Sequence, residues 1–170
     1  MDNYNLIVRA ATRKDIPSIV NVANSSIRPG EDIGFGGTGI TISETEVKWE
    51  DPNILKGHMV YVAEINRQIV GIVQIEDKGR ELELVDIDVL LTLQGKGVGT
   101  RIVKFVEEKA RRMDKKAVTL GTSRNAQGVP WKSLPWWQHL GYRITHEEEN
   151  EWTRSIGLGA REIRMRKDLG

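Results

Sequence analysis

Cysteine is absent from the 170 residues. That excludes a disulfide scaffold, a thiolate metal site and a cysteine nucleophile. An excess of charge of one sign is also missing: 25 Lys and Arg face 24 Asp and Glu, a formal net charge of +1. Such a balance argues against a general nucleic-acid binder and gives no pull toward an anionic membrane surface. The opening stretch MDNYNLIVRAATRKD has no apolar targeting core, and no run reaches the length of a transmembrane helix. A cytoplasmic location is the resulting expectation. The three histidines, His58, His139 and His146, are scattered, and no pair has metal-ligand spacing, so no metal site is expected.

What the chain does have is an ordinary globular composition, 39% hydrophobic and 29% charged. It is long enough for one domain with a core, and no repeat or boundary divides it, so residues 1–170 read as a single domain. Leu6 to Val8 reads as a strand. Thr12 with Asp15 resembles a helix start, and Ile16, Ile19, Val20 and Ala23 mark one helical face. From Ser25 to Ile42 five glycines break the pattern, which suggests a mobile lid or binding loop. Ser43 to Glu46 fits a capping box for a short helix ended by Pro52. Met59–Ala63 and Ile69–Ile75 form a hairpin around Asn66, and a turn at Lys78–Arg80 leads into a strand over Leu82–Leu91. That strand alternates in part, with Glu81, Glu83, Val85, Ile87 and Val89 on one face and Leu82, Leu84, Asp86, Asp88 and Leu90 on the other. Ile102, Val106, Ala110 and Met113 recur at helical spacing. Ala117–Leu120 is the next strand, and strand–helix–strand order implies a parallel pair. Ile144 and Ile163 lie in two further strands, separated by a polar loop from about Asn150 to Gly159.

Between the strand ending near Leu91 and the helix at Ile102 lies Gln94-Gly95-Lys96-Gly97-Val98-Gly99-Thr100. The first N–H groups of a helix lack internal partners, the helix dipole adds partial positive charge, and glycines let a backbone approach a phosphate closely. Lys96 and Arg101 add positive charge. A P-loop would need Gly, four residues and Gly-Lys-Ser/Thr, which is absent. A dinucleotide fingerprint would need a third glycine where Thr100 stands, and an acidic residue where the next strand ends Leu120-Gly-Thr-Ser123.

The remaining pattern, Q/R-x-x-G-x-G/A after a strand, is matched by Gln94, Gly97 and Gly99. In this order of elements, through the Leu140-Gly141-Tyr142 step, the chain resembles the GNAT superfamily of N-acetyltransferases. The resemblance implies an α/β fold: a mixed, mostly antiparallel central sheet with a splay between two parallel strands and helices on both faces. It implies acetyl-CoA as co-substrate and acetyl transfer to an amine of a small molecule or peptide by direct attack. Gln94 to Thr100 would bind the pyrophosphate. Ile87, Asp88 and Val89 would bind the pantetheine arm, with one backbone N–H polarising the thioester carbonyl. Asn125 matches a further pantetheine contact. Glu83 matches a glutamate that some members place six residues before the valine at Val89, as a base for the acceptor. Glu81 is the second candidate. Both also fit solvated residues near a strand end, facing Lys78 or Arg80.

One position departs from the pattern. A tyrosine that protonates the leaving thiolate in many members is Trp137 here, and indole is only a hydrogen-bond donor. This supports an alternative function, a non-catalytic CoA-binding sensor or interaction module of the same fold. Tyr142 reads as core, and Arg124 as either a CoA-phosphate contact or a solvated side chain. Trp131, Trp136 and Trp137 fit buried packing, or an aromatic wall joined by Trp49 and Trp152, with Ser133 as the cap of a short helix. A homodimer is expected from the resemblance.

Overall fold

The computed structural model describes residues 5–25 and 58–170. The expected lid beyond Ser25, the helix after Ser43 and Trp49 lie outside the described residues. The strands are β1 (Leu6–Ala10), β2 (His58–Ile65), β3 (Gln68–Asp77), β4 (Glu81–Val89), β5 (Ala117–Arg124), β6 (Arg143–Glu148) and β7 (Arg161–Asp168). The helices are α1 (Ile16–Ser25), α2 (Val98–Arg112), α3 (Ser133–His139) and α4 (Glu151–Ile156). The strands form one sheet in the order β1-β2-β3-β4-β5-β7-β6. Every neighbouring pair is antiparallel except β4–β5.

Local chemistry accounts for these elements. Asn66 and Arg67 turn the β2–β3 hairpin, both with positive φ, the backbone a two-residue hairpin turn requires. The Asp15 carboxylate accepts from the Thr12 N–H at 2.7 Å ahead of α1, as the sequence suggests. The buried stripe of α1 is Ile19, Val22 and Ala23, so Val22 takes the place expected of Ile16 and Val20. In α2, Ile102, Val106 and Ala110 are fully buried and Val98 and Val103 nearly so. The expected loop at 150–159 contains α4. Asn150 caps it by accepting from the Thr153 N–H at 3.0 Å, and Glu151 in the first turn complements the helix dipole.

Two apolar layers cover the sheet. On one face Val73, Ile75, Leu82, Leu84, Val118, Leu120, Ile163 and Met165 pack with α2, Leu134 and Trp137. On the other, Val60, Val62 and Ile72 pack with Ile19 and Val22 of α1. Each fully buried aliphatic side chain contributes about 1.5–3 kcal/mol against exposure.

Two features of β4 set the geometry of the site. Its parallel pairing with β5 covers only Glu81–Ala117, Leu82–Val118 and Glu83–Thr119, whereas its pairing with β3 continues to Val89. Beyond Glu83, β4 and β5 part. In addition, Ile75 faces Leu84 while Gln74 faces Asp86, so Val85 is an extra residue, a β-bulge. The bulge overturns the simple alternation. Ile87 shares the face of Val73 and packs on the α2 layer with Val89. Asp88 is opposite Ile72, on the α1 face, and Asp86 is opposite Gln74 on that same face. Glu83, opposite Glu76, also has the α1 face. Glu83 and Val89, expected together, are therefore on opposite faces.

Candidate active site

The site is built where β4 runs out of its parallel partner. Leu90 N–H donates to Val70 O on β3 at 2.8 Å. Backbone groups alternate along a strand, so those of Ile87 and Val89 point to the parted edge. The Gln94 side-chain amide donates to Val89 O there at 3.2 Å. Gln94 thus braces the loop against the strand end, a role that motif spacing does not reveal.

The glycine loop reaches α2 through Gly97, which has left-handed φ of 87° and stands as the helix N-cap. A side chain there would strain the backbone. The first intrahelical bond closes from Arg101 N–H to Gly97 O at 3.1 Å. This leaves the N–H groups of Val98, Gly99 and Thr100 as the helix's outward donors. Space beside Gly95 is open. At Gly99 an added Cβ would come within 3.2 Å of Trp136 and 3.7 Å of Val89, so glycine here lets the helix start against α3 and the end of β4. The exposed Lys96 and the outward donors suit an anion. The residues of the loop therefore fit the diphosphate of a CoA ester.

The expected carboxylates are held by arginines of β7. Arg164 Nη2 donates to both Glu83 oxygens, at 2.6 and 2.8 Å, and Thr119 Oγ1 donates to Oε1 at 2.9 Å. The Glu83 side chain is 15% exposed. Burial works against the charge of Arg164, but the Glu83 carboxylate outweighs it, and the guanidinium is held above its ordinary range. Arg164 Nη1 also lies 3.6 Å from Glu162. Glu81 pairs with Arg166. Lys78, one of the partners considered from the sequence, pairs instead with Glu76 at 3.1 Å.

Asn125 folds its own loop. Its Oδ1 accepts from the N–H groups of Gln127 and Val129 at 3.0 and 2.9 Å. Arg124 donates to Glu147 Oε1 at 2.9 Å.

Trp137 is buried, with its ring 4.5 Å from that of Trp136 and 5.3 Å from that of Tyr142. Trp131 is buried edge-on against Trp152 at 5.7 Å. Tyr142 is core, and its hydroxyl donates to the buried Glu107 at 3.2 Å. Burial, followed by the Glu107 charge, pushes its phenol well above the ordinary range, so Tyr142 does not substitute as an acid for the missing tyrosine. Ser133 does not act as the N-cap. It is the first residue of α3, and its hydroxyl is 2.8 Å from that of Thr122 inside the core.

Comparison with known proteins agrees with this geometry. Residues 56–144 match the acetyltransferase (GNAT) domain family. No curated protein sequence matches. Among solved structures, the chain is similar to the ribosomal-protein-S18-alanine N-acetyltransferase from Escherichia coli, with TM-score 0.71 and 13% identity over 97% of this chain and 94% of that one. It is similar to Ard1 from Thermoplasma volcanium, with TM-score 0.68 and 17% identity over 97% and 98%. It is also similar to an aminoglycoside 6'-N-acetyltransferase complexed with coenzyme A, with TM-score 0.69 and 15% identity over 96% and 97%. A family match over more than half of the chain, on a sheet that parts beside a glycine-led helix, establishes the assignment: the protein belongs to the GNAT acetyltransferase family and is an acyltransferase.

Proposed function

We propose that this acyltransferase moves an acetyl group from acetyl-CoA to the amine nitrogen of a small molecule or peptide by direct attack. The observation that carries this reading is the parting of β4 from β5 immediately after Glu83 and Thr119, next to the free helix N-terminus at Gly97–Thr100. Gln94 to Thr100 would hold the diphosphate, and Asn125 would border the pantetheine arm. The stretch Ile87, Asp88 and Val89 would border the pantetheine. The backbone groups of Ile87 and Val89 point to the parted edge, and an N–H there is suited to polarise a thioester carbonyl. Acetyl-CoA, when bound, supplies the acetyl group. The N–C bond forms as the C–S bond breaks, the amine loses a proton to a carboxylate of β4, and the thiolate takes one from water. Glu83 is the proton acceptor suggested by sequence and Glu81 the second; either acts as a base only after parting from Arg164 or Arg166.

The protein acting as one acetyltransferase domain, in the cytoplasm and as a homodimer, belongs to the same proposal, with neither nucleic acid nor membrane as a partner. The balanced charge supports the last point. Among the described residues no helix is long and apolar enough to cross a membrane.

A CoA-binding sensor without turnover is the second reading. Trp137 favours it, buried where an acid would otherwise stand. The test is thermal unfolding with acetyl-CoA, CoA, NAD and ATP, followed by thiol release with an amine panel. CoA esters alone are expected to raise the midpoint, by about 2.7 kcal/mol of stability at about 100 times the dissociation constant. Binding without thiol release for any amine would favour the sensor. No stabilisation by CoA esters would refute both readings.

A further inference from the structure

A cavity of about 550 Å³ is lined by α1 and the turn before it, the edge strand β1 and the β2–β3 hairpin. That volume is in the range of small-molecule sites. None of its lining residues belongs to β4, β5 or the loop at Gln94–Thr100. Its charged residues are two arginines and two acids: Arg9, Asp15, Glu64 and Arg67. Arg9 is committed within the fold. Its Nη1 and Nη2 donate to Asp15 at 2.8 and 2.9 Å, and its Nε donates to Glu64 Oε1 at 2.7 Å. Asp15 is buried and also accepts from the Thr12 N–H. Glu64 meets Arg9 through Oε1, so its Oε2 has no hydrogen-bond or ion-pair partner among the described residues. These three groups together carry one net negative charge.

Arg67 is the opposite case. Its guanidinium has no hydrogen bond or ion pair among the described residues. It is also an unusual residue for its place. Asn66 and Arg67 have φ of 50° and 66°, and a two-residue hairpin turn with both φ positive favours Asn followed by Gly. A side chain in the second position strains the backbone. The chain thus carries a long cation where glycine would turn more easily, and that cation lines the cavity. Pro17 and Ile69 add apolar surface. An uncommitted cation, a carboxylate oxygen with capacity left and an apolar wall share one cavity. A molecule that carries both charges and an aliphatic group fits all three.

We propose that this cavity is a second ligand site, and that its ligand is a free α-amino acid with an aliphatic side chain. Glu64, held in place by Arg9, takes the ammonium group. Arg67 takes the carboxylate, and Pro17 and Ile69 meet the side chain. The ligand bridges α1 to the β2–β3 hairpin and leaves unchanged. It is not the acetyl acceptor: the parted edge of β4 is turned toward β5, with β3 between β4 and the strands of the cavity's far wall. The proposal does not rest on the acetyl-transfer reading.

The test is a backbone-amide NMR titration of the full chain with L-leucine, with isoamylamine, which is leucine without its carboxylate, and with isocaproate, which is leucine without its ammonium group. Leucine is expected to shift signals of α1 and the β2–β3 hairpin, with a millimolar or tighter dissociation constant. Each analogue is expected to bind about tenfold or more weakly, as loss of a charge-assisted contact does. Arg67→Gly puts the favoured residue in the turn, so it is expected to fold and to melt close to the parent. It should weaken leucine about tenfold or more and leave isoamylamine unchanged. Glu64→Gln should weaken leucine and leave isocaproate unchanged. Saturating CoA should not displace leucine. Unmoved signals at about 10 mM leucine, an unchanged leucine affinity in Arg67→Gly, or displacement of leucine by CoA would each overturn the proposal.

Discussion

Before its bulge, β4 carries Glu81 and Glu83; beyond it, Asp86 and Asp88. All four are carboxyl groups on one strand, within eight residues of sequence. The first two stand where β4 is paired to β5, and β7 is close enough to give each an arginine. The second two stand where β5 has departed, and no described arginine or lysine reaches them. Sheet pairing thus decides whether a carboxylate is neutralised by the fold or left for something else. The paired half provides rigidity, and the parted half provides chemical capacity.

Leu84→Asp breaks this contrast most severely. Leu84 is buried in the α2 layer just before the bulge, and an acid there would meet apolar side chains instead of an arginine. The buried carboxylate and the lost apolar burial together exceed about 5 kcal/mol. The expected outcome is no cooperative transition in a thermal melt followed by circular dichroism; a melt like that of the parent would mean that this face of β4 is not buried.

A smaller effect is expected from Arg164→Leu. It makes the paired half resemble the parted one, because among the described residues Glu83 then keeps the Thr119 hydroxyl alone. Removing one partner of a buried pair costs about 3–5 kcal/mol, and this pair is partly exposed, so a loss of about 2–3 kcal/mol is expected in urea unfolding. Adding Glu83→Gln should recover part of that loss in a double-mutant cycle.

The smallest effect has the opposite sign. Asp88, buried and beside Asp86, keeps its proton to higher pH in the folded chain than in the unfolded one. The unfolded state therefore binds fewer protons across that interval, and stability falls as pH rises from the ordinary carboxylate range to the value of the folded pair. Asp88→Asn removes this loss. The variant should melt about 2–4 °C above the parent near pH 8, for a gain of about 1 kcal/mol, with the gain fading toward about pH 4. Equal melting at both pH values would mean that Asp88 titrates normally.

The contrast explains what the sequence discloses. Gln94, Gly97 and Gly99 are readable because the close approach of a backbone demands particular residues at fixed spacing. The Asn66 turn and the parallel β4–β5 pair are readable for similar reasons, one from turn chemistry and the other from connection length. Val85 is not readable, because a bulge residue in an alternating string is simply one more residue, and only the register with β3 exposes it. Arg164 and Arg166 belong to a stretch whose alternating charges resemble a solvated edge, and their partners lie some eighty residues away (|i−j| of 81 and 85). The α4 helix is too short and too polar for periodicity, although Asn150 and Glu151 mark its start.

The position of β7 has a consequence for how the protein is made. It follows every other strand in the chain, yet it inserts between β5 and β6. A ribosome therefore delivers Glu81 and Glu83 long before it delivers the arginines that neutralise them. Until β7 emerges, the open side of β5 is an unprotected strand edge beside two uncompensated acids, a form exposed to aggregation and to chaperone capture. Completion of the sheet waits for residues 161–168, so a stall in translation shortly before them would release a chain with its glycine loop already synthesised and its central strand still unsecured.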